Sequence, residues 1–390
     1  MAPSVFFLFL FISPSFSAFV APVTKHHVHK TPFYTLKVQL KTPTEPTHLL
    51  LHAAATFTAV NRNSSLCHPK CDIAGGNCVI SRHRSFARVD SLALPTTDGR
   101  NPGQLSTVPK FVFTCSDESA KLLKGHAKKV VTGLAGLGFS NYSLPAQVTT
   151  NSSVFALCLS GSPSAPGVAF FGLPGPYYFL PGIDISDHLY YTPIFFNTDR
   201  LEDGYFIGVK SIKVNRKMII TTPKLLTVDE NGNGGTRIST INPYTILERS
   251  IFKSLIEAFR NESAIMKLKS VKPIRPFHLC YEADGLSETH LGPNVPSIDL
   301  VMQNDVIWRI LGKNSMVRIV DEGLDVWCLA IVDGGRHGGS SMVIGGHQLE
   351  DNLLQFDLGR KTLGFSSTLL QYKTMCANFN FSTNNAISAF

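Results

Sequence analysis

No part of this 390-residue chain is both long and apolar enough for a membrane helix, which needs about 20 apolar residues. The apolar run at residues 5–12 (VFFLFLFI) falls short of that span. Charge is absent from the first twenty residues, so the basic start common in export signals is missing. Ser15, Phe16 and Ser17 nonetheless place small residues where a signal peptidase reads. The pattern predicts a leader over residues 1–17, cleaved near Ser17, against a competing reading as a buried N-terminal strand. An exported protein of the extracellular space or plant cell wall is the expectation. A paired zinc template is lacking too: Cys67, Cys71 and Cys78 lie close together, but at a spacing that fits none. No metal or cofactor is expected. Nor is there a basic patch interleaved with aromatics, which nucleic-acid binding would want. The densest basic stretch, Lys121 to Lys129 with His126, reads as a solvated face. A net charge of +8 spread over the chain suits an acidic protein partner or a polyanionic wall surface, not nucleic acid or membrane.

Eight cysteines are present, at 67, 71, 78, 115, 158, 280, 328 and 376. An even count in an exported chain predicts up to four disulfides, and spacing alone leaves all 105 pairings open. Asn-x-Ser/Thr sequons stand at Asn63, Asn141, Asn151, Asn261 and Asn380, compatible with a glycoprotein. The length beyond the leader suffices for two domains or one large two-lobed unit.

Short runs rich in Val, Ile, Phe, Tyr and Thr recur between Gly, Pro, Asn and Ser clusters, so the class is mainly β. Residues 34–40 and 206–214 alternate with period two, as half-buried strands do. One segment differs. Leu247, Ile251, Leu255 and Phe259 recur every fourth residue, widened by Phe252 and Ile256, and predict a helix of about four turns. Thr245 and Glu248 are spaced as a capping box for its start. A loose two-fold similarity relates the halves, each with an apolar strand leading into a turn.

Aspartic peptidases need two carboxylates that share one proton across facing loops, usually within Asp-Thr-Gly or Asp-Ser-Gly. Neither tripeptide occurs in the chain. Asp98, Asp284 and Asp333 precede Gly directly and read as turns. Yet residues 234–245 (GGTRISTINPYT) resemble the second active-site loop of plant pepsin-like proteins that have lost activity. Residues 342–352 (MVIGGHQLEDN) resemble that fold's Ile-Gly-Gly loop. Residues 132–138 (TGLAGLG), 158–162 (CLSGS) and 291–300 (LGPNVPSIDL) are similar as well. The family is that of extracellular dermal glycoprotein, basic 7S globulin, and the inhibitors of xylanase and xyloglucan-specific endoglucanase.

The resemblance implies a bilobal pepsin-like fold of two β-barrel-like lobes around a cleft, at residues 24–190 and 191–390. It implies that His52 and Ser239 replace the two catalytic aspartates. Ala54 and Ala55 stand where glycine is usual, which predicts an altered first loop. The family's Trp and Cys have no match at residues 59–62, and the segment 65–95 is shorter than its counterpart. A new Ser–His pair at Ser239 and His52 would need an orienting group and an oxyanion hole, and the sequence shows neither. Disulfides Cys280–Cys328 and Cys158–Cys376 are implied, without partners for the other four cysteines. In inhibitory relatives, cationic loops of the C-terminal lobe enter a glycosidase cleft and face its carboxylates, where Arg is the best fork. His290 and Lys373 line up with those loops, beside Tyr372 where another inhibitor type has His. Lysine lacks the fork, and histidine charges mainly in a mildly acidic wall. The expected function is an inactive inhibitor of microbial endoglucanase or xylanase. The alternative is a basic-globulin-like storage or peptide-binding protein, with a residual endopeptidase behind both.

Overall fold

The computed structural model describes residues 18–28, 31–41, 43–67, 78–80, 86–117, 121–122, 130–149, 152–197, 204–336 and 339–382. The expected leader at residues 1–17, most of the 121–129 basic stretch, Cys71 and Asn151 lie outside them. Strands dominate, as the short apolar runs predict.

Both halves of the chain meet in one continuous set of strands. Phe19–Val28, Gly167–Phe171, Val154–Cys158, Leu353–Asp357, Thr362–Phe365 and Tyr190–Phe195 pair antiparallel in that order. The first begins ahead of residue 24, the expected start of the N-terminal lobe. Val154–Cys158 and Gly167–Phe171 are buried at every position, which explains why they read as unbroken apolar runs rather than alternating ones. Phe155 and Phe356 stack at 4.6 Å across the junction of the halves. Above this platform the N-terminal half adds Thr31–Leu40, Glu45–His52 and the long hairpin of Phe86–Thr97 with Pro102–Cys115. The C-terminal half adds two four-stranded sheets and one long helix.

The helix is Arg249–Ile265, and it buries Ile251, Phe252, Leu255, Ile256 and Phe259 as the stripe predicts. Each such side chain contributes about 1.5–3 kcal/mol. Its start differs from the expected capping box. Thr245 lies in the strand Thr245–Leu247, and its amide and hydroxyl both donate to Gln348 Oε1. Glu248 is itself the cap, accepting from Ser250 N at 2.7 Å, because the chain leaves a paired strand only one residue earlier. Residues 206–214 also differ from the single expected strand. Phe206–Ile207 and Val209–Val214 belong to different sheets, divided at Gly208, where a Cβ would sit 2.4 Å from Gln303 Cδ.

Both implied disulfides are present. Cys280 and Cys328 face each other on adjacent strands, and Cys158–Cys376 ties the C-terminal tail to the central sheet. A third, Cys67–Cys115, closes a pairing that spacing left open. Only the backbone of Cys78 is described, in the strand Cys78–Ile80. Among the described residues no helix is long and apolar enough to cross a membrane, and no cluster of His, Cys, Asp or Glu is set to hold a metal ion.

Candidate functional site

Strand register defines a pseudo-two-fold pair of loops. Glu45–His52 runs parallel to Gly133–Gly136, with Leu49 opposite Gly133 and His52 opposite Gly136, and Ala59–Val60 lies antiparallel on the other side. Thr236–Ile238 runs parallel to Met342–Ile344, with Thr236 opposite Met342, and Thr245–Leu247 again lies antiparallel. Val60 faces Gly133 as Leu247 faces Met342, so Leu49 matches Thr236 and, three residues on, His52 matches Ser239.

Each loop closes on its own polar group. His52 Nδ1 accepts the amides of Ala54 and Ala55 at 3.1 and 3.2 Å. An acceptor at that place makes the turn an Asx-turn does, with an imidazole lone pair in place of a carboxylate oxygen. The first loop is therefore altered in a way the sequence did not suggest. Neither alanine has a positive φ, so glycine is not required there. Accepting at Nδ1 puts the ring proton on Nε2. Burial, with the nearby Arg237 charge, lowers the His52 pKa to about 4, which keeps the ring neutral. Ser239 Oγ donates to Asn242 Oδ1 at 2.7 Å and accepts from Asn242 N at 3.2 Å.

The loops are also tied to one another. Thr240 Oγ1 donates to Leu51 O at 2.7 Å and accepts from Ala53 N at 3.0 Å. Ala53 is the pseudo-symmetric counterpart of Thr240 and carries no hydroxyl to reciprocate. No carboxylate occupies either loop position. A Ser–His relay is not formed either, since the serine proton goes to Asn242 and the imidazole lone pair to two amides.

A buried polar cluster lies where the halves meet, and sequence reasoning missed it. Glu350 bonds Lys25 Nζ at 2.7 Å and Tyr34 OH at 2.5 Å, with His347 Nδ1 at 3.6 Å. Burial alone would raise its pKa, but His347 and Lys25 together hold it well below the usual range. Next to it, Asp351 accepts from Cys376 N at 3.0 Å, and burial raises its pKa to about 6. The sequence offers no signal for it: Lys25 stands between Thr24 and His26, Glu350 is followed by Asp351 just after the Ile-Gly-Gly loop, and only the fold brings the two together.

The candidate partner-binding residues sit at the surface. His290 is exposed in the turn between Glu288–Thr289 and Gly292–Pro293. Leu291 O accepts from Lys313 N at 2.8 Å, fixing that turn. Lys373 is exposed in a left-handed conformation (φ 57°) after the short helix Leu369–Tyr372. Its amide donates to Leu370 O at 3.1 Å, and Tyr372 stacks on His188 at 4.4 Å. Three residues later Cys376 anchors the tail, so Lys373 stands on a fixed corner. Among the described residues no contact joins His290 and Lys373 directly. Of the sequon asparagines, Asn63, Asn141 and Asn261 are exposed and Asn380 is half-buried.

Two lobes sharing a central sheet, with a pseudo-symmetric loop from each half, define a pepsin-like protein in which neither loop presents an aspartate. A family model described as Xylanase inhibitor N-terminal matches residues 52–173, and one described as Xylanase inhibitor C-terminal matches residues 204–367. The chain belongs to this family. Among its relatives is "Probable aspartic proteinase GIP1" of Glycine max, 42% identical over 412 residues, covering 95% of this chain and 94% of that one. "Gamma conglutin 1" of Prunus dulcis is 44% identical over 301 residues, covering 76% of this chain and 66% of that one. The solved structure titled "Crystal structure of edgp" aligns with a TM-score of 0.82 at 38% identity, over 95% of this chain and 100% of that chain.

Proposed function

We propose that this is an exported, catalytically inactive pepsin-fold protein that inhibits microbial glycoside hydrolases, endoglucanases or xylanases, in plant defence. The carrying observation is that both pseudo-equivalent loop positions, His52 and Ser239, lack a carboxylate and spend their polar atoms on their own turns. Water activation by a shared proton has no groups to perform it. The family models' descriptions support the inhibitor reading, as does a fixed, exposed cation at Lys373 beside the Tyr372 ring. A lysine whose backbone is fixed at a corner needs no loop ordering to enter a cleft that carries paired carboxylates, and only its side-chain rotamers are restricted there. His290 supplies a second contact on the same C-terminal lobe, drawn here as residues 191–390 against an N-terminal lobe at 24–190. The exposed Asn63, Asn141 and Asn261 suit glycan acceptors on an exported chain.

The test is titration of the purified protein against microbial endoglucanases and xylanases at pH 5, with Lys373→Ala alongside. Stoichiometric inhibition that weakens at least tenfold in the variant supports this reading. Absence of inhibition moves the assignment to the second reading, a basic-globulin-like storage or peptide-binding protein. That reading is favoured by 44% identity to a gamma conglutin.

A further inference from the structure

One strand edge in the C-terminal half is open, and a groove runs along it. Met316–Asp321 ends the four-stranded sheet that also holds Leu324–Leu329, Cys280–Glu282 and Ser270–Val271, so among the described residues it is paired on one side only. Its turn is the two residues Glu322 and Gly323, with Asp321 opposite Leu324. A two-residue hairpin makes that flanking pair exchange hydrogen bonds, and the pattern alternates from there. Ile319 and Val317 therefore bond inward, while Arg318 and Val320 aim their N–H and C=O groups outward. Met316 shares the outward parity, and its carbonyl does take a side chain from outside the sheet, His347 Nε2 at 2.9 Å. Val320 is 61% exposed.

The groove has a volume of ≈ 980 Å³, and residues 317–321 form one wall. Arg275, Pro276, Phe277 and His278 line the groove as well, together with Tyr244 and Ile246. His27 and Thr31 close it from the N-terminal half. The charges on its rim differ in how they are engaged. Asp333 is paired with Arg249 at 3.2 Å, and Asp321 Oδ1 caps Glu322 N at 3.1 Å. Arg318 is held by Asp325 and Glu288 at 2.7 and 3.1 Å. Arg275 is exposed and has no ion pair among the described residues.

We propose that this groove binds an extended, acidic peptide segment of a partner protein, added as a further strand along Met316–Asp321 with a carboxylate on Arg275. Outward N–H and C=O groups at alternate residues match a peptide backbone, which offers the same groups at the same repeat. Alternate apolar side chains of the peptide would rest on Tyr244 and Phe277. A segment of about five residues spans the open edge at strand rise. The proposal does not depend on the inhibitor reading, because it uses neither Lys373 nor His290.

The experiment is fluorescence polarisation of the full chain against fluorescein-labelled, β-forming hexapeptide libraries, one biased to Glu and one to Lys. Val320→Pro removes an outward N–H without touching an inward bond, and Arg275→Ala removes the free cation from an exposed loop. Binding of the Glu library, at least tenfold weaker in either variant and with the Glu-over-Lys preference lost in Arg275→Ala, is the expected result. Slowed exchange of the Val320 amide on binding is expected in the unmodified chain. No binding by either library overturns the proposal. Equal affinity in both variants, or competition by xylohexaose in place of peptide, overturns it as well.

Discussion

Thr240 holds Leu51 O and Ala53 N with a single hydroxyl, at 2.7 and 3.0 Å, and receives no hydroxyl in return from the opposite loop. The two halves thus meet through a one-sided grip directly beside the two loop positions, His52 and Ser239. Removing it leaves a buried amide and a buried carbonyl unsatisfied, at about 1–3 kcal/mol. Thr240→Val should therefore lower the unfolding free energy by that much, read as a lower urea midpoint at unchanged slope, and an unchanged midpoint would contradict the grip.

His52 gives the fold an acid limit. Its pKa falls from 6.5 free to about 4 when folded, so its contribution is complete above pH 6.5 and is lost as pH drops through 4. The shift corresponds to about 3 kcal/mol. Asp351 acts in the opposite sense. Its folded pKa is raised to about 6, so its stability is present below the free value of 3.8 and is lost as pH rises through 6. In His52→Asn an amide oxygen can accept the same two amides without titrating. Thermal stability of that variant should fall less steeply than that of the unmodified protein between pH 6.5 and 4, and parallel curves would refute the assignment.

The Lys25–Glu350 pair is a buried link between residues from opposite ends of the chain. Breaking one side strands a charge, at a cost of about 3–5 kcal/mol. Lys25→Met should approach that loss, while Lys25→Met with Glu350→Gln should recover a good part of it. A double-mutant cycle by denaturant unfolding reads the coupling, and simple additivity would contradict it.

Non-reducing peptide mapping should find Cys280–Cys328, Cys158–Cys376 and Cys67–Cys115. On the chain-entropy account the loops these close contribute about 4–5 kcal/mol each. A free thiol at any of these six positions would contradict the pairing.

What could be read in advance follows from how local each feature is. The stripe from Ile251 to Phe259 encodes a helix because one face packs inward, and the motif around Ser239 marked the second loop. The helix start was misplaced because Thr245 is claimed by Gln348, a residue 103 positions away. The break at Gly208 was hidden because the alternation continues across it, and the Gln303 side chain that packs against Gly208 comes from a distant part of the chain. His52 could be placed by its strand, but its acceptor role depends on where the Ala54 and Ala55 amides point. Lys25 and Glu350 carry no mutual pattern in sequence, since only the central sheet brings them together.

The central claim is that the paired loops cannot activate water. Incubating the purified protein with denatured casein across pH 3–6, beside His52→Ala and Ser239→Ala, tests it most directly. The account predicts no cleavage above a buffer control by any of the three. Cleavage by the unmodified protein that either substitution abolishes would contradict it.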